Sequence, residues 1–217
     1  RPVSDRIVFV AIDKKSLDAV GVWPWPRSVH AAIADRLREF GAREIVFDID
    51  FSTPSTPEGD AAFAAAIERA AGTVTLPVFL QRGAAGSGDA NIEMTEPIEA
   101  FARNAWLASV NVYPDSDGKV RTFPTGVETA SGFLASVPAT IAGTAVPPNG
   151  EILVDFGLDP HGFTTISASD LLDGTADAAS VEGRTVVIAA FATELSDFYA
   201  VPNHDFIQGA VLQGLAA

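Results

Sequence analysis

The chain has 217 residues, with 28 acidic against 14 basic side chains and a formal charge of −14. That balance excludes the basic stripe nucleic acid requires and opposes adsorption to an anionic membrane surface. Cysteine is absent, which excludes thiol catalysis, disulfides and cysteine-ligated zinc, and a hydrophobic content of 47% suits a single domain over residues 1–217.

No apolar run reaches the length of about 18 residues that spans a membrane, and no signal-peptide pattern is present. The chain opens on Arg1 rather than Met, and its end, Leu-Gln-Gly-Leu-Ala-Ala, reads as a helix in progress. We expect a segment of a larger protein.

Residues 7–13 form a continuous apolar run ending in Asp13, the pattern of a strand buried on both faces. Next comes Gly21-Val-Trp-Pro-Trp-Pro-Arg27. Proline fixes φ and removes a donor, and it biases Trp23 and Trp25 toward extended backbone. The expectation is a stiff aromatic loop that either covers the core or walls a binding site. A helix follows over 28–40, with Val29, Ile33, Leu37 and Phe40 on one face and Gly41 closing it. A second buried strand over 44–51 completes a βαβ unit with parallel strands.

Thr56-Pro57 starts a second helix that runs to about 70, with Phe63, Ile67 and Ala70 inward. Residues 73–80 read as a strand and 81–91 as a mobile surface loop. Residues 106–113 are β-prone, 114–118 form a turn, and 119–127 return as an antiparallel strand. Further on, 136–142 and 167–172 read as short helices, and 151–156, 161–166 and 185–191 as strands. The predicted fold class is α/β, a single domain with a largely parallel central sheet flanked by helices, plus an antiparallel hairpin.

Ligands of open α/β sheets bind beyond the carboxyl ends of the strands. Asp13, Asp48, Asp50 and Asp197 follow strand ends, so Asp13, Asp48 and Asp197 are expected to share one mouth. Converging carboxylates point to Mg²⁺ or Ca²⁺, or to a cationic or polyol ligand; the metal is left unknown. The competing reading is that these aspartates cap helices or pair with Arg27 and Arg121. His30, in the first turn of the first helix, is disfavoured from protonating and suits a neutral hydrogen-bonding or structural role. Trp23 and Trp25 are either stacking surfaces for a ligand or core packing.

Ile45-Val-Phe-Asp-Ile-Asp-Phe-Ser52 resembles the first motif of haloacid-dehalogenase phosphatases, in which Asp48 would be nucleophile and Asp50 general acid. That family also needs a downstream Lys, for which Lys119 is the only Lys after position 15, and a later acidic pair, which is missing, so a metal-dependent hydrolase or phosphatase is the alternative reading. Asp115-Ser-Asp-Gly118 does not fit an EF-hand register and reads as a turn. Gly83-Ala-Ala-Gly-Ser-Gly88 opens no helix, so it is not a phosphate cradle.

The series Ile-Asp13, Trp-Pro-Trp-Pro-Arg27, His30-Ala31, Gly41-Ala-Arg, Val-Phe-Asp48, Phe51-Ser52, Asp60, Asn111, Asp115-Ser-Asp-Gly-Lys-Val-Arg121, Val187-Ile188, Asp197 and Val201-Pro202 resembles the CHASE2 family of extracellular sensor domains over nearly the whole chain. The resemblance implies a periplasmic or extracellular receptor module without catalysis or cofactor. Its unidentified partner would be a small-molecule or protein ligand. It implies a homodimer in the receptor, membrane attachment only through transmembrane helices outside this segment, and a cytoplasmic kinase or cyclase as output. Two positions depart from the family pattern: Ala189-Ala190 follows Val187-Ile188 where a Gly is usual, and Gln213 stands where the family has His. The expected ligand-binding residues are Asp13, Trp23, Trp25, Arg27, His30, Asp48, Arg121 and Asp197.

Overall fold

The apolar run at the start of the chain forms strand β1 (Ile7–Ile12), and all six residues are buried. Side chains alternate across a strand. Val8, Val10 and Ile12 therefore enter the core on one face of the sheet, while Ile7 and Phe9 enter the core on the other. A computed structural model describes residues 1–70, 72–82, 92–143, 147–148, 150–195 and 197–217.

After β1 come α1 (Lys14–Val20), α2 (Arg27–Glu39), β2 (Glu44–Phe47), α3 (Pro57–Arg69), β3 (Val74–Arg82), β4 (Ile92–Thr95), α4 (Glu99–Ala102) and β5 (Trp106–Ser109). Then follow β6 (Thr122–Pro124), β7 (Gly126–Thr129), β8 (Gly132–Ala135), α5 (Val137–Ala142), β9 (Glu151–Leu153), β10 (Thr164–Ser167) and α6 (Ala168–Asp173). The last elements are β11 (Thr185–Ala190), β12 (Phe198–Val201), β13 (His204–Gln208) and α7 (Gly209–Ala216).

The central sheet runs β10-β1-β11-β2-β3, and β4 and β5 both pair with β3. Every pairing is parallel except that of β4. Helices α2, α3 and α6 cover one face through Ile33, Leu37, Phe63, Ile67 and Leu171. The other face is covered by α5, α7 and short antiparallel strands, through Ile141, Leu212, Leu215, Phe123 and Ile207. The domain is α/β with a largely parallel sheet flanked by helices, as its sequence predicts.

The predicted helices hold at their signals. On α2, Ile33 and Leu37 are fully buried, with Val29 and Phe40 packed at the margin, and Gly41 takes the left-handed conformation, φ 75°, that ends the helix. On α3, Phe63, Ile67 and Ala70 face inward, and the Thr56 hydroxyl accepts from Gly59 N at 3.1 Å with Pro57 in the first turn.

Several features differ from the sequence reading, among them a second strand that ends at Phe47 rather than 51 and the unforeseen β4 and α4. Helix α1 intervenes between Asp13 and the Trp loop. Strands β1 and β2 are parallel but not adjacent, because β11 inserts between them, pairing Phe9 with Val187 and Val187 with Val46. The antiparallel return expected after 114–118 does not pair with the strand before it: β5 joins β3 in parallel, β6 pairs with β9, and β7 pairs with β8. Pairing at 106–109 is decided by burial in the large sheet rather than by the nearby turn. The β12–β13 hairpin also has no counterpart in the sequence reading. Residues 83–91 of the segment read as a loop, with its glycine-rich stretch, lie outside the described residues; Gln81 and Arg82 end β3.

Candidate functional site

Strands β11, β2, β3 and β5 lie side by side and parallel, and a cavity of about 740 Å³ opens at their carboxyl ends. Ala190 from β11, Asp48 just beyond β2, Phe79 from β3 and Val110 just beyond β5 line it. This is where open α/β sheets place ligands, and the volume falls in the range of small-molecule sites, about 300–1,000 Å³. A larger hollow of about 940 Å³ lies beside the β12–β13 hairpin, against Phe163, Phe191 and Phe206. It contains none of the expected site residues.

The Trp loop forms one wall, and its two indoles divide the roles left open by the sequence. Trp25 is 3% exposed and belongs to the core, its indole N–H donating to Gly21 O at 2.9 Å. Trp23 is only partly buried and stands edge-on to Trp25, ring centres 5.6 Å apart. The Trp23–Pro24 peptide bond is cis.

Arg27 opens α2 directly behind the loop. Its guanidinium stacks 4.6 Å from the centre of the Phe51 ring, donates to Thr53 O at 3.1 Å, and lies 3.9 Å from Asp60. One turn on, His30 is 1% exposed and enclosed by the rings of Trp23, Trp25, Phe47, Phe51 and Phe63. Burial first, and then the Arg27 cation, push its pKa down to about 3. The imidazole is therefore neutral at ordinary pH, chiefly through burial rather than the helix terminus. Its Nδ1 has no hydrogen-bond partner among the described residues.

Opposite the Trp wall stands an acidic floor. Asp48 follows β2, and its N–H donates to Ile188 O at 2.8 Å, which extends the β2–β11 pairing by one residue. Asp197 precedes β12. Burial first, and then the Asp197 charge, push the Asp48 pKa up to about 7. Burial also raises Asp197, although the Tyr199 hydroxyl donates to it. The helix α7 closes the floor. Gly209 N donates to Asp197 O at 2.9 Å, and Gln213 Nε2, one turn further, donates to Asp48 Oδ2 at 3.3 Å.

Six of the eight expected residues thus line one cavity: Trp23, Trp25, Arg27, His30, Asp48 and Asp197. Asp13 and Arg121 do not join them. Asp13 caps α1, its Oδ1 accepting from Ser16 N at 2.8 Å, Ser16 Oγ at 2.7 Å and Ser167 Oγ at 2.9 Å. These bonds outweigh burial and hold its carboxyl below the usual range. Arg121 pairs on the surface with Asp115 at 2.6 Å and Asp117 at 2.7 Å. Asp50 is exposed, at the cavity rim, and accepts from Ser52 N. Among the described residues, no three His, Asp or Glu side chains converge with metal-ligand geometry.

The sequence reading missed Tyr199, Gly209 and Gln213. Only Gln213 carried a signal, as a departure from a family pattern. Asn111 has a structural role: its side-chain amide exchanges two hydrogen bonds, 2.7 and 2.8 Å, with the backbone of Leu80, extending the β5 edge of β3.

Fold and cavity together define an α/β domain with a recessed acidic and aromatic cavity at the carboxyl edge of its sheet. The chain belongs to the CHASE2 domain family, whose match covers residues 1–216. CHASE2 domains are extracellular sensory domains. No curated protein and no solved structure matches the chain. Among the described residues, no helix is long and apolar enough to cross a membrane.

Proposed function

We propose that this domain is the periplasmic or extracellular sensor of a bacterial transmembrane receptor. In this reading it binds a small molecule in the cavity between the Trp loop and α7 and passes the event to a cytoplasmic kinase or cyclase. The observation that carries the reading is the meeting, in one recess, of Trp23 with two carboxylates that have no cationic partner among the described residues. Carboxylates left this way in a recess are a ligand-site signature rather than a stability device. Ligand occupancy would bias the packing of α7, which carries Gly209 and Gln213 at the floor and stands at the end of the described chain.

The alternative, a phosphatase built on Asp48 and Asp50, finds less support. None of Lys14, Lys15 and Lys119 lines the cavity, and Asp48 is already hydrogen-bonded to Gln213. Thermal unfolding against a panel of amines, amino acids, sugars and organic acids tests the sensor reading. A binder should raise the midpoint by mass action, and Trp23→Ala should cancel the gain. A binder whose effect is equal in wild type and in both Trp23→Ala and Asp48→Asn would contradict it, as would Mg²⁺-dependent phosphoester turnover lost in Asp48→Asn.

A further inference from the structure

The floor of the cavity presents three acceptor groups and no cation. Asp48 and Asp197 supply two carboxylates. Gln213 is 2% exposed and donates one amide N–H to Asp48, while its Oε1 is buried with no partner among the described residues. A buried carbonyl without a donor costs the full desolvation of that group, so a donor from outside is missing. Arg27, a cation in the wall, stacks on Phe51, donates to Thr53 O and lies 3.9 Å from Asp60, although its Nε makes no hydrogen bond among the described residues.

We propose that this floor binds the protonated amine of a small organic ligand, the ammonium among Asp48, Asp197 and Gln213 Oε1 and its apolar body along Trp23. The assignment rests on the cavity being the sensory site, and it names the ligand class. An ammonium has three donors and no acceptor, which matches three acceptor groups. Its charge would offset the burial that raises both carboxyls and the Asp197 charge that adds to the rise at Asp48, and the partly exposed Trp23 ring offers a face that attracts cations. A polyol would satisfy the acceptors but leave the two carboxylates without a counter-charge. Calcium takes six to eight oxygens, of which two carboxylates and one amide supply at most five, and among the described residues no third acidic or His side chain converges with them. Phe79, Val110 and Val112 line the cavity too and suit an apolar body better than a hydrated ion.

Isothermal titration calorimetry with 2-phenylethylamine, 2-phenylethanol, 3-phenylpropionate and calcium chloride tests this on the wild-type domain. The amine should bind, with the alcohol and the acid at least about tenfold weaker, because a site built around a charge rejects analogues that lack it. Asp48→Asn and Gln213→Leu should each weaken the amine by about tenfold or more, whereas Arg121→Ala should leave it unchanged. No heat from the amine, equal binding of the alcohol, or preference for calcium overturns the assignment. If the alcohol or acid binds instead and Trp23→Ala abolishes that binding, the cavity stands as the site and the cationic class falls. If binding ignores Trp23→Ala and Asp48→Asn alike, both fall. The comparison of amine with alcohol is made on wild type, so a variant that fails to fold does not shelter the assignment.

Discussion

The Asp197 carboxylate packs directly on Gly209. A Cβ at Gly209 would stand 2.8 Å from Asp197 Cγ, inside any tolerable contact. Ala exceeds Gly in helix propensity by up to about 1 kcal/mol, so Gly209→Ala would ordinarily stabilise α7. Here we predict a net loss of about 1–3 kcal/mol from overpacking, read from urea midpoints. Adding Asp197→Ala should recover most of it. Equal loss in the single and double variants would show that the strain lies elsewhere.

His30 and Asp48 are predicted to conceal each other's pH dependence. The folded His30 stays neutral while the unfolded chain takes up a proton below 6.5, so its contribution falls as pH drops toward 3. The folded Asp48 keeps a proton that the unfolded chain releases above 3.8, so its contribution falls as pH rises toward 7. Asp197 acts in the same direction as Asp48. Between about pH 4.5 and 6.5 the His30 slope opposes those of Asp48 and Asp197, so wild-type stability should fall more gently with rising pH than it would without His30. His30→Leu should steepen the decline by about 1 kcal/mol per pH unit as pH rises, and Asp48→Asn should shift the slope upward by a similar amount relative to wild type. Parallel profiles for all three proteins would contradict the assigned protonation states.

Asp13 is predicted to have a structural role only, capping α1 and holding Ser167. Asp13→Ala should cost about 1–2 kcal/mol and Asp13→Asn much less, since asparagine caps equally well. Neither should change the affinity of any compound that binds the cavity. A loss of affinity in Asp13→Asn at unchanged stability would place Asp13 in the site after all.

The two indoles of the Trp loop should separate under mutation. Trp25→Ala removes a core side chain and should cost about 3–5 kcal/mol. Trp23→Ala should cost clearly less, because its ring is partly exposed. The reverse order in urea unfolding would exchange the packing and lining roles.

Local patterns gave most of the elements. The run at 7–13, the 3.6-residue spacing on α2 and the Thr56-Pro57 start all reflect burial and capping within one segment, and each is where the sequence puts it. The order of the sheet is not local. Nothing near residue 185 states that β11 enters between β1 and β2, or that α7 returns to lay Gly209 and Gln213 on Asp197 and Asp48. Helix α1 escaped because Leu17 and Val20 are its only large apolar residues. Asp13 was misleading because its position after a strand fits a ligand mouth and a cap equally. The backbone N–H of Ser16, three residues on, is the donor an N-cap aspartate takes. Trp23, Arg27, His30 and Asp48 were legible because one strand end and one loop bring them together. The contribution of Tyr199 and Gln213 came from the far end of the chain.

The most direct test of the cavity uses the indole N–H resonances of the three tryptophans. Trp23 and Trp25 both line the cavity, Trp25 with its ring buried in the core. Trp106 starts β5 at the opposite end of the sheet, 66% exposed, with its N–H on Gly72 O. With the signals assigned by single Trp→Phe variants, a compound that raises the unfolding midpoint should shift Trp23 most, Trp25 less and Trp106 not at all. A binder that moves Trp106 and leaves Trp23 in place would contradict the cavity as the sensory site.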